Sequence, residues 1–422
     1  MRFLGLLLLL LFFAPLAASE GSGGVKLLYR SLELEGATEF QTGQGEFGPS
    51  YLRLIGRAEL ALNDKLTAKA VLSPCGGSYS THPKGITECA MYRLIEELTL
   101  GGVYDKFDFS LGRQVITQGN TEGFILLDRF NGRDFCRFAR LDVQNKLPNW
   151  LAKGRVSLSD STSLALTFAP FSALSYLPQT GSYCDDQFHN AGRFDGLHDD
   201  ENSNIADWAG GAELASNHDR WSATLNVMTT KEDIFVLQTV PTPQKNRPRT
   251  LWLGGSAAAT LGSFVLRSEV AFSPDRDFTI NPAELGGLFR RGIQTNGVDS
   301  RWNLLAAIGV EGRNSEWYWA LQYFIDQVGG GTALTRALQS QMTSFRVRKT
   351  FFNDRLALDS FAIMDISYSD FAIRTQASYD IDEATSVALG GTAYADTGGS
   401  VGLLGSYVGR ESVFLKIRRT LF

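Results

Sequence analysis

Residues 316–326 read EWYWALQYFID, and this stretch decides the fold. Apolar and aromatic side chains recur at every second position, namely Trp317, Trp319, Leu321, Tyr323 and Ile325. A period of two predicts a β-strand with one apolar face and one polar face. The run is about 10 residues long, which is the length that a tilted strand needs to cross a bilayer.

The same alternation recurs along most of the chain beyond residue 25, in segments of about 9 to 12 residues. Further examples are residues 301–311, 344–348 and 370–380. No sustained helical stripe competes with this pattern. The sequence therefore predicts an all-β chain with long strands, each polar on one face and apolar on the other.

Short and long connections alternate between these segments, with 366–369 as the marked exception among the long ones. The short ones are Asn63-Asp64, Gly101-Gly102, Ser159-Asp160, Asn217-His218-Asp219, Leu261-Gly262, Arg313-Asn314, Asn353-Asp354 and Asp380 to Glu383. The long ones lie at about 42–50, 73–91, 118–149, 170–204, 230–249, 273–300, 327–339, 366–369 and 396–410. We predict a single transmembrane antiparallel β-barrel of about 16–18 strands over residues 20–422, with short periplasmic turns and long outer loops.

The composition excludes several other classes of protein. The 422 residues are 44% apolar, 20% charged and 11% aromatic, with a formal net charge of −5. The slightly acidic balance gives no indication of a nucleic-acid partner, and the aromatic content excludes a disordered linker protein. An exported, soluble all-β protein would also show alternation. The length of the strands and the charged polar faces favour the membrane barrel.

The first 19 residues, MRFLGLLLLLLFFAPLAAS, have a basic start, a short apolar core and a small-residue end. This pattern predicts a secretory signal peptide over residues 1–19. The apolar core is too short to span a bilayer comfortably as an anchor. The mature chain is therefore expected to work outside the cytoplasm.

The chain ends with VFLKIRRTLF at residues 413–422. An exported β-rich chain that stops on an aromatic residue resembles a Gram-negative outer-membrane protein. The resemblance implies the outer membrane as location, outer-membrane lipid as surroundings, and the outer-membrane assembly machinery as a partner that recognises the last strand.

A second resemblance lies in LGRQVITQG at residues 111–119, followed by DRFNGRD at residues 128–134. These segments resemble bacterial porins and barrel families similar to alginate-export channels. The resemblance implies a water-filled channel for small hydrophilic solutes. It leaves the oligomeric state open between monomer and homotrimer.

The third outer loop, residues 118–149, is the candidate constriction, because in porins this loop commonly folds into the lumen. Its charges would set a local field across the opening and sort ions by charge and size. The predicted constriction residues are Asp128, Arg129, Arg133, Asp134, Arg137 and Arg140. A solvated outer loop remains the alternative interpretation.

Strand parity predicts the charged lumen wall, whose members are Glu33, Glu35, Arg346, Arg348, Arg374, Lys416 and Arg418. Closing the barrel puts the last strand beside the first, so Lys416 and Arg418 should lie near Glu33 and Glu35. Unlike charges on neighbouring strands stabilise such pairing. These charges either stabilise the closure of a barrel whose inner wall faces water, or form a basic stripe that attracts anions.

The four cysteines, Cys75, Cys89, Cys136 and Cys184, all fall in predicted outer loops, and an even number in an exported chain predicts disulfides. Three connectivities are open. A Cys75–Cys89 bond would staple the second loop, and a Cys136–Cys184 bond would tie the third loop to the fourth. A zinc site formed by Cys75, His82 and Cys89 is disfavoured, because it would lack a fourth ligand.

No catalytic motif, cofactor fingerprint or metal-binding spacing is evident, so we expect no enzyme, no cofactor and no metal. The leading hypothesis is a porin that allows passive diffusion of small hydrophilic solutes or ions, with a preference for anions. The alternatives are a structural barrel, acting as a sleeve for a partner protein or as a surface adhesin, and a barrel enzyme at the outer rim.

Overall fold

The computed structural model describes residues 25–43, 45–78, 93–121, 123, 126–139, 141, 145–176, 207–240, 243–397, 402 and 404–422. The predicted signal peptide lies outside the described residues. Among the described residues, no helix has the length and apolar character needed to cross a membrane.

Antiparallel strands make up most of the described chain. They are β1 Lys26–Gln41, β2 Glu46–Ala61, β3 Leu66–Leu72, β4 Cys75–Ser78, β5 Ile95–Tyr104, β6 Phe107–Gln114, β7 Asn149–Ser157, β8 Thr162–Ala169, β9 Ala209–Asn217, β10 Trp221–Lys231, β11 Val236–Gln238, β12 Gln244–Asn246, β13 Arg249–Leu261, β14 Phe264–Thr279, β15 Val298–Arg313, β16 Trp317–Val328, β17 Gln339–Phe351, β18 Leu356–Asp365, β19 Asp370–Asp380, β20 Thr385–Asp396 and β21 Ser412–Thr420. Two short helices, α1 Phe135–Ala139 and α2 Pro282–Arg290, and a 3₁₀ turn, Gly405–Tyr407, lie in the loops.

The sheet closes on itself. Each barrel strand pairs antiparallel with the next, and β21 pairs with β1. β3 and β4 are two segments of one strand, because both pair with β2 on either side of Ser73 and Pro74. β11 and β12 form a separate hairpin in a loop. The barrel therefore has 18 strands, as the alternation of short and long connections predicts.

Asparagine and aspartate side chains shape several of the tight turns at one end of the barrel. The Oδ1 atom of Asn63 accepts the backbone N–H groups of Lys65 and Leu66, both at 2.9 Å. Asn314 and Asp382 cap their turns in the same way. Such side chains mimic a backbone turn, so they set strand reversal locally.

One predicted turn was wrong. Gly101 and Gly102 lie within β5, and the chain reverses at Asp105 and Lys106 instead. Asp105 takes a positive φ of 50°, a conformation that aspartate tolerates better than most residues. Gly102 lies where another residue would not fit without a shift, because a Cβ there would lie 2.5 Å from the Phe109 ring.

The outer face of the wall is apolar and exposed. Outward side chains such as Leu225, Leu321, Phe345 and Leu389 are all exposed. Exposed tryptophans mark both ends: Trp150 and Trp302 near the loops, Trp221 and Trp317 near the turns. An apolar band between aromatic girdles is the surface that a barrel presents to lipid.

Candidate functional site

The third outer loop, residues 115–148 and called L3 here, enters the barrel and crosses it. It leaves β6, the fifth barrel strand, and its tip at Gly123 reaches β17, the fourteenth. A Cβ at Gly123 would lie 3.2 Å from Ser344 Oγ on that strand. The two strands are nine apart in a barrel of 18, so they face each other across the lumen. Gly119 and Gly123 have φ values of +92° and +81°, a region that glycine enters without strain.

A single carboxylate on the far wall holds this crossing segment. Glu269 of β14 is buried, and its Oε1 accepts the backbone N–H of Asn120 at 2.5 Å and of Thr121 at 2.7 Å. The Thr121 hydroxyl donates to the same oxygen at 2.8 Å. The backbone N–H of Leu126 donates to Oε2 at 2.8 Å. Hydrogen bonds to an ionised acceptor are the strong ones, so Glu269 fixes the position of the loop.

Asn131 closes the neck of the same loop. Its Oδ1 accepts the backbone N–H of Ile116 at 3.0 Å, and its Nδ2 donates to the carbonyl oxygen of Leu147 at 2.9 Å. The described residues between 116 and 131 thus belong to an Ω-loop, with its ends held on one side of the barrel and its body bonded to the other.

Apolar side chains pack the returning arm of L3 against the wall. Leu127 lies over Gly254 of β13, where a Cβ would come within 2.5 Å of its Cδ2 atom. Phe130 lies beside Gly211 of β9 in the same way, at 3.1 Å. Both side chains are buried within one apolar cluster that also includes wall residues of other strands. Inward-facing glycines therefore make room for the loop.

The last outer loop, residues 397–411 and called L9 here, also packs into the barrel. Leu404 and Tyr407 are buried in the same cluster as the L3 side chains. The Tyr407 ring lies 5.7 Å from that of Tyr394 on β20. The outer half of the lumen is therefore filled partly by two inward loops.

The predicted constriction residues lie on the returning arm of L3, most of them engaged in buried contacts. The carboxylate of Asp128 forms an ion pair with Lys146. Asp134 accepts from Arg93 Nη2 at 2.8 Å, with both side chains buried. Arg137 is buried, and its backbone N–H donates to Asp134 Oδ1 at 3.3 Å.

Arg129 lies over the Trp252 ring, with its guanidinium carbon 4.2 Å from the ring centroid. Burial and the neighbouring Arg276 guanidinium lower the pKa of Arg129 to about 10, so it stays charged at neutral pH. Arg133 is half-buried, and its backbone N–H donates to Ser175 Oγ at 2.8 Å. Arg140 lies outside the described residues. The described residues that cross the lumen are 116–121, 123, 126 and 127. The part that the predicted constriction charges play in selection stays a prediction.

Charges converge where the last strand meets the first. Glu35 accepts from Arg53 at 2.7 Å and from Arg418 at 2.8 Å, and Lys416 Nζ lies 3.6 Å away. Glu33 pairs with Arg57 and lies 3.8 Å from Arg418. Arg53 also lies 3.3 Å from Glu96 of β5. We call these seven side chains the seam cluster: Glu33, Glu35, Arg53, Arg57, Glu96, Lys416 and Arg418.

The other predicted wall residues lie on β17 and β19. Arg346 bonds Asp359 through two nitrogens, at 3.0 and 2.7 Å. The Arg374 guanidinium carbon lies 4.1 Å from the centroid of the Phe414 ring. Arg348 is exposed, in register with Asp359 of β18. Strand parity places all three side chains on the inner face.

The structure describes two of the four cysteines, Cys75 and Cys136. Neither Cys75 nor Cys136 is a free thiol. Cys89 and Cys184 lie outside the described residues, so the pairing stays a prediction. Over the described ranges, no three Asp, Glu, His or Cys side chains come together to form a metal-binding group.

Two residues that hold L3, Glu269 and Asn131, were not predicted as site residues from the sequence. A signal for Glu269 exists: parity puts it on the inner face of β14, between Arg267 and Ala271, as a lone inward acid near mid-strand. Its partners are backbone N–H groups far along the chain, which no side-chain pattern reveals. Only the glycines at 119 and 123 mark the loop as one that approaches another surface closely.

Comparison with solved structures shows the fold. The chain is similar to OccK5 (OpdH) of Pseudomonas aeruginosa, at 10% identity and a TM-score of 0.50, covering 95% of this chain and 98% of that one. OccAB4 of Acinetobacter baumannii matches at 10% identity and a TM-score of 0.50, covering 93% of this chain and 97% of that one. OccK11 (OpdR) of Pseudomonas aeruginosa matches equally well, at 10% and 0.50, with 93% and 96% covered.

No protein-family model matches the chain. No curated protein matches it by sequence. The likeness is therefore one of fold, that of a porin-like outer-membrane β-barrel. Together with the apolar outer wall, this fold makes the chain a membrane-spanning barrel.

Proposed function

We propose that the chain is a channel in the outer membrane of a Gram-negative bacterium, through which small hydrophilic solutes and ions diffuse passively, with anions favoured. The closed barrel supports passage through the membrane. The inward path of L3 supports a narrowed, size-limited lumen. The preference for anions rests on the seam cluster.

The exposure of the seam cluster carries the proposal. Its two carboxylates on β1 are withdrawn from water, with 0% of the Glu35 side chain and 14% of the Glu33 side chain exposed, whereas 31% of the Glu96 side chain is exposed. Three of its four cations are open to solvent, at 43% for Arg418, 32% for Arg57 and 31% for Lys416. With four cations and three carboxylates, the cluster has a charge of 4 − 3 = +1. A solute in the lumen therefore meets positive charge, which favours anions.

The sleeve and adhesin alternatives have less support. A sleeve needs an open lumen for its partner, whereas L3 crosses this lumen and is bonded to the far wall through Glu269. The surface that an adhesin would use lies in loops of which several segments are outside the described residues.

Outer-membrane lipid would contact the apolar outer wall. The assembly machinery would meet the last strand, whose terminal Phe422 is held through its carbonyl oxygen by the N–H of Leu32 at 3.0 Å. We likewise propose a homotrimer, in which three copies of the chain associate in the membrane.

The test is ion selectivity in planar bilayers. We expect steady conductance from the parent protein and a reversal potential in a salt gradient that indicates anion selectivity. Replacing Lys416→Gln and Arg418→Gln together should move this potential toward zero. Arg419→Gln is the matched control, because Arg419 lies on the same strand and faces the other side of the wall. A folded parent that does not conduct would refute the channel, and an unchanged potential in the double variant would refute the role of the seam cluster.

A further inference from the structure

A group of hydrogen bonds at one side chain holds L3 against the far wall of the barrel. Four donors from three residues, Asn120, Thr121 and Leu126, converge on the Glu269 carboxylate. Three of the donors are backbone N–H groups, so the attachment depends on the path of the loop rather than on its side chains.

We propose that Glu269 is the positioning residue of the channel: it fixes L3 across the lumen and thereby sets the conductance. This inference rests on the proposed function, because a loop position can set a conductance only in a channel. Glu269 acts through L3 and need not touch the passing solute.

The chemistry explains why a carboxylate is needed at this position. Buried backbone N–H groups must be paired, and a charged acceptor with two oxygens can pair three of them and a hydroxyl at once. An amide in place of the carboxylate has an NH₂ group where one of the two carboxylate oxygens was. This group faces N–H donors and cannot accept from them. At least one buried N–H would then be unpaired, which favours a shift of the loop away from the wall.

The geometry makes the attachment specific to this loop path. Gly119 packs against the Glu269 carboxylate so closely that a Cβ at this position would overlap it. The positive φ of Gly119 adds a second barrier to any other residue. A substitution at Gly119 therefore breaks the same contact from the side of the loop, and it does so without removing a charge.

These features define a test that separates position from charge. Single-channel conductance and open-channel current noise are recorded for the parent, Glu269→Gln and Gly119→Ala. Glu311→Gln is the matched control: Glu311 also faces inward, on the neighbouring β15, and pairs with Arg267 at 2.5 Å rather than with L3. Heat-modifiable mobility on detergent gels verifies that each variant is folded before it is recorded.

We expect both Glu269→Gln and Gly119→Ala to raise the open-channel noise about twofold, with sublevels that the parent lacks, because a released loop moves between positions. Glu311→Gln should keep the noise of the parent. A common effect of the two variants identifies loop position as the cause, since only one of them changes charge.

The outcomes distinguish the two levels of the proposal. If the folded parent does not conduct, the proposed function fails and this inference fails with it. If the parent conducts and both folded variants match it in conductance and noise, the proposed function stands and the role of Glu269 is overturned. If only Glu269→Gln differs, Glu269 acts as a charge in the lumen, and the positioning role is likewise overturned.

Discussion

Arg418 of the last strand lies directly opposite Glu35 of the first, and its Nη2 atom donates to Glu35 Oε2 at 2.8 Å. The pair spans the closure of the sheet. Arg53 of β2 approaches the other oxygen of Glu35 at 2.7 Å. One buried carboxylate thus links three neighbouring strands, and it does so where the first strand pairs with the last.

Glu35→Gln should destabilise the barrel. Arg53 is buried, and without the carboxylate its charge loses its closest partner. Breaking a buried ion pair from one side costs about 3 kcal/mol. The free energy of unfolding in urea and detergent, followed by tryptophan fluorescence, measures the loss.

Glu59→Gln provides the matched control for this prediction. It removes the same charge from the inner face of β2, outside the seam cluster. We expect it to change the free energy of unfolding by less than about 1 kcal/mol, in the range of ordinary surface substitutions. Equal losses in the two variants would contradict the assigned role of Glu35.

The side chain of Trp252 should contribute strongly to stability. It is almost fully buried, and it stacks with Arg129 of L3 at 4.2 Å and with Arg276 at 5.3 Å. Trp252→Ala should therefore lower the free energy of unfolding by about 3–5 kcal/mol, the range for a buried tryptophan. In the same urea titration, Trp221→Ala should cost clearly less, since Trp221 is about half exposed on the outer face. A larger loss from Trp221→Ala would show that lipid-facing aromatics dominate instead.

Two glycine substitutions should act in opposite directions. Gly254→Ala places a Cβ 2.5 Å from Leu127 Cδ2 and 2.6 Å from the carbonyl oxygen of Val270, so it must displace L3 or the wall. Such overpacking costs about 1–3 kcal/mol. Gly286→Ala meets open space within α2 and should stabilise by about 0.5–1 kcal/mol, because alanine is the better helix former. Thermal unfolding in detergent compares both variants with the parent, and an unchanged or raised melting temperature for Gly254→Ala would refute the contact at Gly254.

The fold follows from the sequence to a large extent, for a physical reason. A membrane barrel separates lipid from water at every strand, so side-chain polarity alternates along the whole wall. The faces of β15, β16 and β21 and the count of 18 strands are confirmed by the structure. The error at Gly101 and Gly102 arose because glycine marks both turns and close packing inside a strand.

The candidate site was predictable only in part. The charges of the seam follow from parity and closure, which bring Lys416 and Arg418 beside Glu33 and Glu35. The path of L3 does not follow, because it depends on backbone N–H groups that meet Glu269 from about 150 residues away in the chain. The charged residues of L3 drew attention, whereas the segment that crosses the lumen has glycine, asparagine and threonine.

The two predicted disulfides should tie the mouth of the channel together. Cys136 is buried in α1 of L3, beside Tyr176, and neither it nor Cys75 is a free thiol. We expect non-reducing peptide mapping by mass spectrometry to recover Cys75 linked to Cys89 and Cys136 linked to Cys184. Cys136→Ser and Cys184→Ser should then have equal effects on open-channel noise, and the double variant should add nothing, since each change breaks the same bond. Peptides that link the second loop to the third or fourth would overturn this connectivity, and additive effects of the two single variants would refute a shared bond.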